Sequence, residues 1–253
     1  MLEELLTLNL FGFFLIFTRV GTSLALMPGF SAGFVPMRVR LGGALAISFV
    51  MAPVLISELP VRPPTIAAMA VLIIGEFLIG LFFGIIARIL VGALQTAGTI
   101  ISYMSSVANA MIQDPIAEQQ SSTIASFLLI MATVLIFTAD MHHVMLLAIA
   151  DSYTLLMPGD TLPVGDMVNI IGRKIADSFA LGLRLSAPFV IVALTYYIGL
   201  GLLGRLMPQL QVFFFGLPFQ IGLQIWVLAI TISGIMMVFL QKFENAYESF
   251  ILP

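Results

Sequence analysis

Six apolar runs, most of them long enough to cross a bilayer, constrain this chain before any motif does. A helix rises about 1.5 Å per residue, so roughly 20 apolar residues span a hydrocarbon core about 30 Å thick. Inside such a core the backbone must satisfy its own hydrogen bonds, and helices do this within one segment. Residues 5–27 meet the length, and further runs cover 41–56, 66–94, 123–139, 175–203 and 212–240. The expected fold is all-α, a polytopic membrane protein. Composition agrees, with 60% apolar and 9% charged residues, where a soluble domain has about half and a quarter.

The breaks between runs are rich in Pro, Gly and charge. "PGFSAGFVPMRVR" carries Pro28 and Pro36 and ends on Arg38 and Arg40, and "SELPVRPP", "MPGDTLPVGD" and "GRLMPQLQ" follow later. "DMHHVMLLAIADSY" either continues the fourth run or folds back, and "QKFENAYESFILP" reads as a short amphipathic tail. Gly216 and Pro218 are expected to break the last run, whose Gln220 and Gln224 share a face. Two Glu open the chain where a signal peptide would place Lys or Arg, so the first run is expected to be a retained helix. Lys and Arg in short loops leave orientation open. Arg38, Arg40 and Arg205 favour one side, and Arg62, Arg173, Lys174 and Lys242 oppose it.

Several function classes lose their footing here. A net charge of −3 without a basic stripe argues against nucleic-acid binding. The absence of cysteine removes disulfides, thiolate metal sites and cysteine nucleophiles. No hydrolase, Walker or dinucleotide motif is present, so no enzymatic activity and no cofactor are expected. His142 and His143 are the only histidines. Helix neighbours point about 100° apart, so no metal site is expected there and a helix-end role is favoured.

Arg19, Glu76, Arg88 and Arg184 stand inside apolar runs. A charge at the bilayer centre costs roughly 2.5–3.5 kcal/mol on insertion scales, so each must pair, snorkel or face a protein interior. Arg88 is placed to snorkel, whereas Glu76 needs a partner, and pairing between helices or subunits is favoured over a transport path. Gly80 and Gly84, four apart, suit close helix packing.

The longest polar stretch in the chain is "SSVANAMIQDPIAEQQSS", residues 105–122, flanked by two apolar runs. Ser105, Ser106, Ala108 and Ala110 are small, Met111 and Ile112 can seal against apolar neighbours, and Asp114, Glu118 and the glutamines tolerate a wet surrounding. Pro115 biases Asp114 away from helix. Composition alone favours an ordinary connector.

Three segments together resemble the FliR/SctT family of type III export-apparatus proteins, in matching order over nearly the whole chain. They are "PGFSAGFVPMRVRLGGALAISFVMAP", "ANAMIQDPIAEQQSSTIASFLLIMATVLIFTADMHH" and "LLGRLMPQLQVFFFGLPFQIG". The resemblance implies tilted helices, a FliP-like part over residues 1–174, and a FliQ-like hairpin with its tail over 175–253. It implies a subunit that assembles with FliP and FliQ around a closed channel, with FlhB and FlhA as neighbours and unfolded export substrates as cargo. The setting would be the bacterial inner membrane, in contact with lipid, at the flagellar basal body. The central loop would then plug the pore, which carries over to Met104, Ser105, Ser106, Val107, Asn109, Met111, Ile112, Gln113, Asp114, Pro115, Glu118, Gln119 and Gln120. Ile116 stands where relatives often have Gly. Assembly contacts would fall on Pro28, Pro36, Arg38, Arg40, Glu76, Arg205, Pro208, Gln209, Gly216 and Pro218. The alternative is a small secondary transporter or channel using Glu76, Arg19 and Arg184 at the membrane midplane.

Overall fold

The computed structural model describes residues 2–30, 35–55, 59–60, 62–107, 122–207 and 212–251. These form seven helices: α1 (Leu2–Leu26), α2 (Met37–Leu55), α3 (Ile66–Met104), α4 (Thr123–Thr138), α5 (Met141–Leu155), α6 (Val164–Leu206) and α7 (Val212–Glu248). No strand occurs among the described residues, and the all-α, multi-pass expectation holds. α2, α3, α6 and residues 216–248 of α7 are long and apolar enough to cross a membrane. α4 and α5 meet at a 72° bend and make a fifth span if the pair crosses as one. The "DMHHV" segment therefore turns away from α4 rather than continuing it straight.

Three helices outrun the apolar stretches that announce them. α3 continues past Leu94 to Met104, and its threonines are accommodated there because each hydroxyl is satisfied by a carbonyl of the helix itself. Thr96 Oγ1 donates to the Gly92 carbonyl at 3.0 Å and Thr99 Oγ1 to the Gln95 carbonyl at 2.8 Å. α6 starts at Val164 rather than Ile175, directly after Pro163, with Asp166 in its first turn. Both features suit a helix start, and neither raises hydropathy. α7 absorbs the tail as far as Glu248.

The expected break at Gly216 and Pro218 does not occur, since α7 runs through both. Proline removes one backbone donor and crowds the carbonyl four residues back. Near the start of a long helix that loss is local. Across the hairpin, Tyr196 donates its hydroxyl to the Gly216 carbonyl at 2.6 Å and secures this turn against α6.

The chain divides into two compact units. The first comprises residues 1–90, 133–175 and 242–253, and the second 91–132 and 176–241. In the first, α3 turns a stripe with near-heptad spacing inward through Glu76, Ile79, Phe83, Ile86 and Leu90. Gly80 and Gly84 lie on this side against α1, as their spacing suggests. A Cβ on Gly80 would strike the Arg19 carbonyl, and one on Gly84 would come within 2.8 Å of Leu26 Cβ. The tail packs here too. Phe243 and Tyr247 are buried one turn apart, the Tyr247 hydroxyl donates to the Phe83 carbonyl at 3.0 Å, and Phe250 meets Phe82 and Phe83 edge-on.

In the second unit the stripe of α3 continues through Ala93, Leu94, Ala97, Gly98 and Ile101. Small residues again set the spacing. A Cβ on Gly98 would strike the Ala125 backbone, and one on Gly182 would lie 2.9 Å from the Ala93 carbonyl oxygen. Leu128, Ala132, Phe189 and Ala193 complete this core.

Gly98→Ala is therefore expected to destabilise the chain, because the added methyl meets backbone that cannot rotate away, an overpacking cost of about 1–3 kcal/mol. Gly92→Ala has open space around it and gains helix propensity of up to about 1 kcal/mol. Melting temperatures of the two purified variants, falling for the first and level or rising for the second, check this.

Candidate functional site

Two side-chain constellations stand out, one in each unit. In the first unit Arg19 is fully buried on α1. Its Nε donates to Glu76 Oε2 at 2.7 Å and its Nη2 to Glu76 Oε1 at 2.9 Å, the parallel two-bond pairing that suits a guanidinium and a carboxylate. Nη2 also donates to the Leu156 carbonyl and Nη1 to Ser152 Oγ, both at 2.9 Å. Ser152 passes its own proton to the Ile149 carbonyl at 2.6 Å. The guanidinium carbon lies 3.8 Å from the centre of the Tyr153 ring, which adds a cation–π contact. Glu76 thus finds the partner it requires on another helix of the same chain. α1, α3 and α5 are tied at one point. Arg88 and Arg184 take no part and are exposed, so the three charges of the transporter alternative are not gathered into one cluster.

In the second unit the polar groups collect where the long polar stretch leaves α3 and re-enters α4. The Gln220 amide donates to the Met104 carbonyl at 2.7 Å and to the Tyr197 hydroxyl at 2.9 Å. Met104 is the last residue of α3, so this bond satisfies a carbonyl that the helix end leaves open. Ser105 N reaches the Ile101 carbonyl at 2.9 Å, and Ser106 then turns left-handed at φ 59. At the re-entry, Ser122 caps α4 by accepting from Ala125 N at 3.1 Å. It also donates to the Gly98 carbonyl at 3.2 Å and bonds Ser102 on α3. The end of α3 is thereby held by α7, and the start of α4 by α3. Gln224 repeats the device lower down, donating to the Phe189 carbonyl of α6 at 3.1 Å.

The expected plug residues divide at this base. Met104, Ser105, Ser106 and Val107 are described; Ser105 is buried and the other three are half-buried. Asn109, Met111, Ile112, Gln113, Asp114, Pro115, Glu118, Gln119 and Gln120 lie outside the described residues, as do Pro208 and Gln209. Among the expected assembly residues, Pro28 is buried in the turn after α1 and Pro36 is exposed just before α2. Arg38 and Arg205 are exposed, and Arg40 is half-buried with an unpaired Nε. Gly216 is buried, with Leu200 3.2 Å from where its Cβ would stand, and Pro218 is exposed on α7. Tyr197 and Ser122, which build the loop base, carry no signal in sequence. Only the shared face of Gln220 and Gln224 pointed there.

The histidines correct a simple expectation. The imidazoles of His142 and His143 stand 4.1 Å apart, centre to centre, despite being sequence neighbours. The 100° step fixes where Cβ points, not where the ring goes. At the first turn of α5 both rings lean over Asp140, and one ligand atom from each of the three residues lies within 4.8 Å of the others.

Comparison with known proteins adds the remaining element. Residues 10–246 match the model of the family described as bacterial export proteins, family 1. The chain is 34% identical to the flagellar biosynthetic protein FliR of Caulobacter vibrioides, over 93% of this chain and 94% of that one. It is 29% identical to the protein of the same name from Bacillus subtilis, over 94% and 92%, and 30% identical to that of Escherichia coli, over 83% and 80%.

The buried pair makes an asymmetric prediction. Arg19→Met or Glu76→Leu alone strands a charge in the core and is expected to cost about 3–5 kcal/mol, whereas the double substitution recovers most of that loss. Melting curves of the three purified variants measure it, and the double falling as far as the sum of the singles would rule the pairing out.

Proposed function

Given that the chain belongs to family 1 of the bacterial export proteins, we propose that it is a structural and gating subunit of the flagellar protein-export channel. On this reading it assembles with FliP and FliQ in the inner membrane at the flagellar basal body, beside FlhB and FlhA. Unfolded export substrates pass through the channel, and residues 104–120 close it at rest. Residues 1–174 are the FliP-like part, and residues 175–253 are the FliQ-like hairpin and tail.

The observation that carries the gating role is the clamped base of the polar stretch. A connector between two helices needs no more than a short turn. Here Gln220 of α7 holds the last carbonyl of α3, and Ser122 ties the start of α4 to Gly98 and Ser102 of α3, so the helix ends on either side of the stretch are fixed by contacts of their own. Helix ends fixed in this way can carry a plug between them. Its sequence fits that use, with Met111 and Ile112 between polar flanks. The export role and the flagellar assignment are supported by the family and by the relatives named FliR. An exposed α6 and α7, with Ile191, Ile198, Phe219 and Trp226 among their exposed side chains, supports assembly with partner helices.

Deleting residues 108–112 in the assembled complex is expected to leave complex abundance unchanged and raise resting ion conductance of the membrane, because the flanking helix ends are held by contacts outside the deleted residues. Asp114→Ala should leak less than the deletion. Ion leak in cells or reconstituted vesicles, with the complex quantified in parallel, reads both. Normal assembly with no added leak would reduce the stretch to a connector.

A further inference from the structure

The bend between α4 and α5 holds a group of side chains that the proposed export role does not use. Asp140 stands there with a left-handed backbone, φ 57 and ψ 16, a conformation uncommon outside glycine. It occupies the N-cap position of α5, yet its side chain makes no capping hydrogen bond. Its carboxylate points instead toward His143, with Oδ1 3.6 Å from Nδ1. That is too long for a good hydrogen bond. It is close to the roughly 3.4 Å that separates two ligand atoms on a tetrahedral ion with bonds of about 2.1 Å.

His142 brings the independent observation. Its Nδ1 is shielded from solvent and has no hydrogen-bond partner. A buried polar atom left open in this way is costly, and an unsupplied ion is one explanation for it. The ring is also held in place. It stacks on Phe137 at 5.1 Å, and Phe137 packs in turn on Phe30 at 5.5 Å and fills the space beside Gly29, where a Cβ would strike it. Asp140 and His143 are about two-thirds or more exposed, so they can rotate by the small amount needed to bring all three ligand atoms together.

We infer that Asp140, His142 and His143 form a binding site for one divalent d-block cation, of the zinc class, at the α4–α5 bend. Two imidazoles and one carboxylate are the donor set such ions favour over magnesium or calcium, which prefer oxygen alone. Three protein ligands leave at least one coordination position for water or for a group from a neighbouring molecule. The site accounts for the uncapped, left-handed Asp140, the unpartnered nitrogen of His142 and the convergence of the two rings. Thr138, Ala139 and Asp140 at the bend would be fixed by the bound ion rather than by a cap.

The test uses the full-length, tag-free chain and Zn2+ as the probe. Calorimetric titration is expected to show one saturable equivalent per chain. His142→Asn and His143→Asn should each weaken binding at least about tenfold, Asp140→Asn should also weaken it, and Asp160→Asn in the exposed loop after α5 should leave it unchanged. A second measurement needs no variant. These are the only histidines in the chain, so Zn2+ should protect both from an imidazole-acylating reagent, counted by peptide mass. Absence of saturable binding, equal affinity in the histidine variants, or acylation unaffected by Zn2+ would overturn the site.

Discussion

The Arg19–Glu76 pair is the constraint around which the first unit is arranged. Two opposite charges removed from water are tolerable only when most of their hydrogen-bonding capacity is met, and here four of the five guanidinium N–H groups are engaged. Nε, Nη1 and Nη2 of Arg19 find Glu76, Ser152 and the Leu156 carbonyl. A shift of α1 along α3 by one turn would separate the carboxylate from the guanidinium and leave both stranded. A slide of α5 would remove Ser152 and the end-of-helix carbonyl. The pair therefore specifies register, which greasy helix faces alone do not. Gly80 lets the backbones come close enough for that register to be read, since any side chain there would collide with the carbonyl of Arg19 itself.

The division of labour between small and polar residues recurs in the second unit. Gly98 and Gly182 let α4 and α6 approach α3. Ser102, Ser122, Gln220 and Gln224 then fix the approach with hydrogen bonds. In an apolar surrounding, packing and hydrogen bonds take the part that hydrophobic burial plays in water. The single carbonyl of Met104 shows the economy: an open helix end, the exit of a loop and a side chain from α7 are satisfied by one contact.

Much of this architecture is legible in sequence because hydropathy and length dictate it. Helical class and every helix but α5 follow from the runs, and the need for a Glu76 partner follows from its placement. The identity of that partner does not. Arg19 is 57 residues away, and nothing in local pattern selects it over Arg88 or Arg184. Helix ends fail for a different reason. Thr96 and Thr99 lower hydropathy but satisfy their hydroxyls on the helix's own carbonyls, and Asp166 suits a first turn, so α3 and α6 extend beyond their apolar stretches. Pro218 misleads in the opposite direction, since a proline signal weighs less near a helix start than in its middle. Ring orientation, as at His142 and His143, is decided by χ angles and neighbours that composition does not encode.

The clamp at the base of the polar stretch has a thermodynamic meaning of its own. Closing a loop costs chain entropy that rises only with the logarithm of its length, about 0.6 kcal/mol for each doubling. Ser102, Ser122 and Gln220 hold the helix ends that the loop must join, so that cost is met at the base. Insertions or deletions there alter the closure term by a fraction of a single hydrogen bond. Loop closure therefore sets only a weak limit on the length of a segment carried by this base.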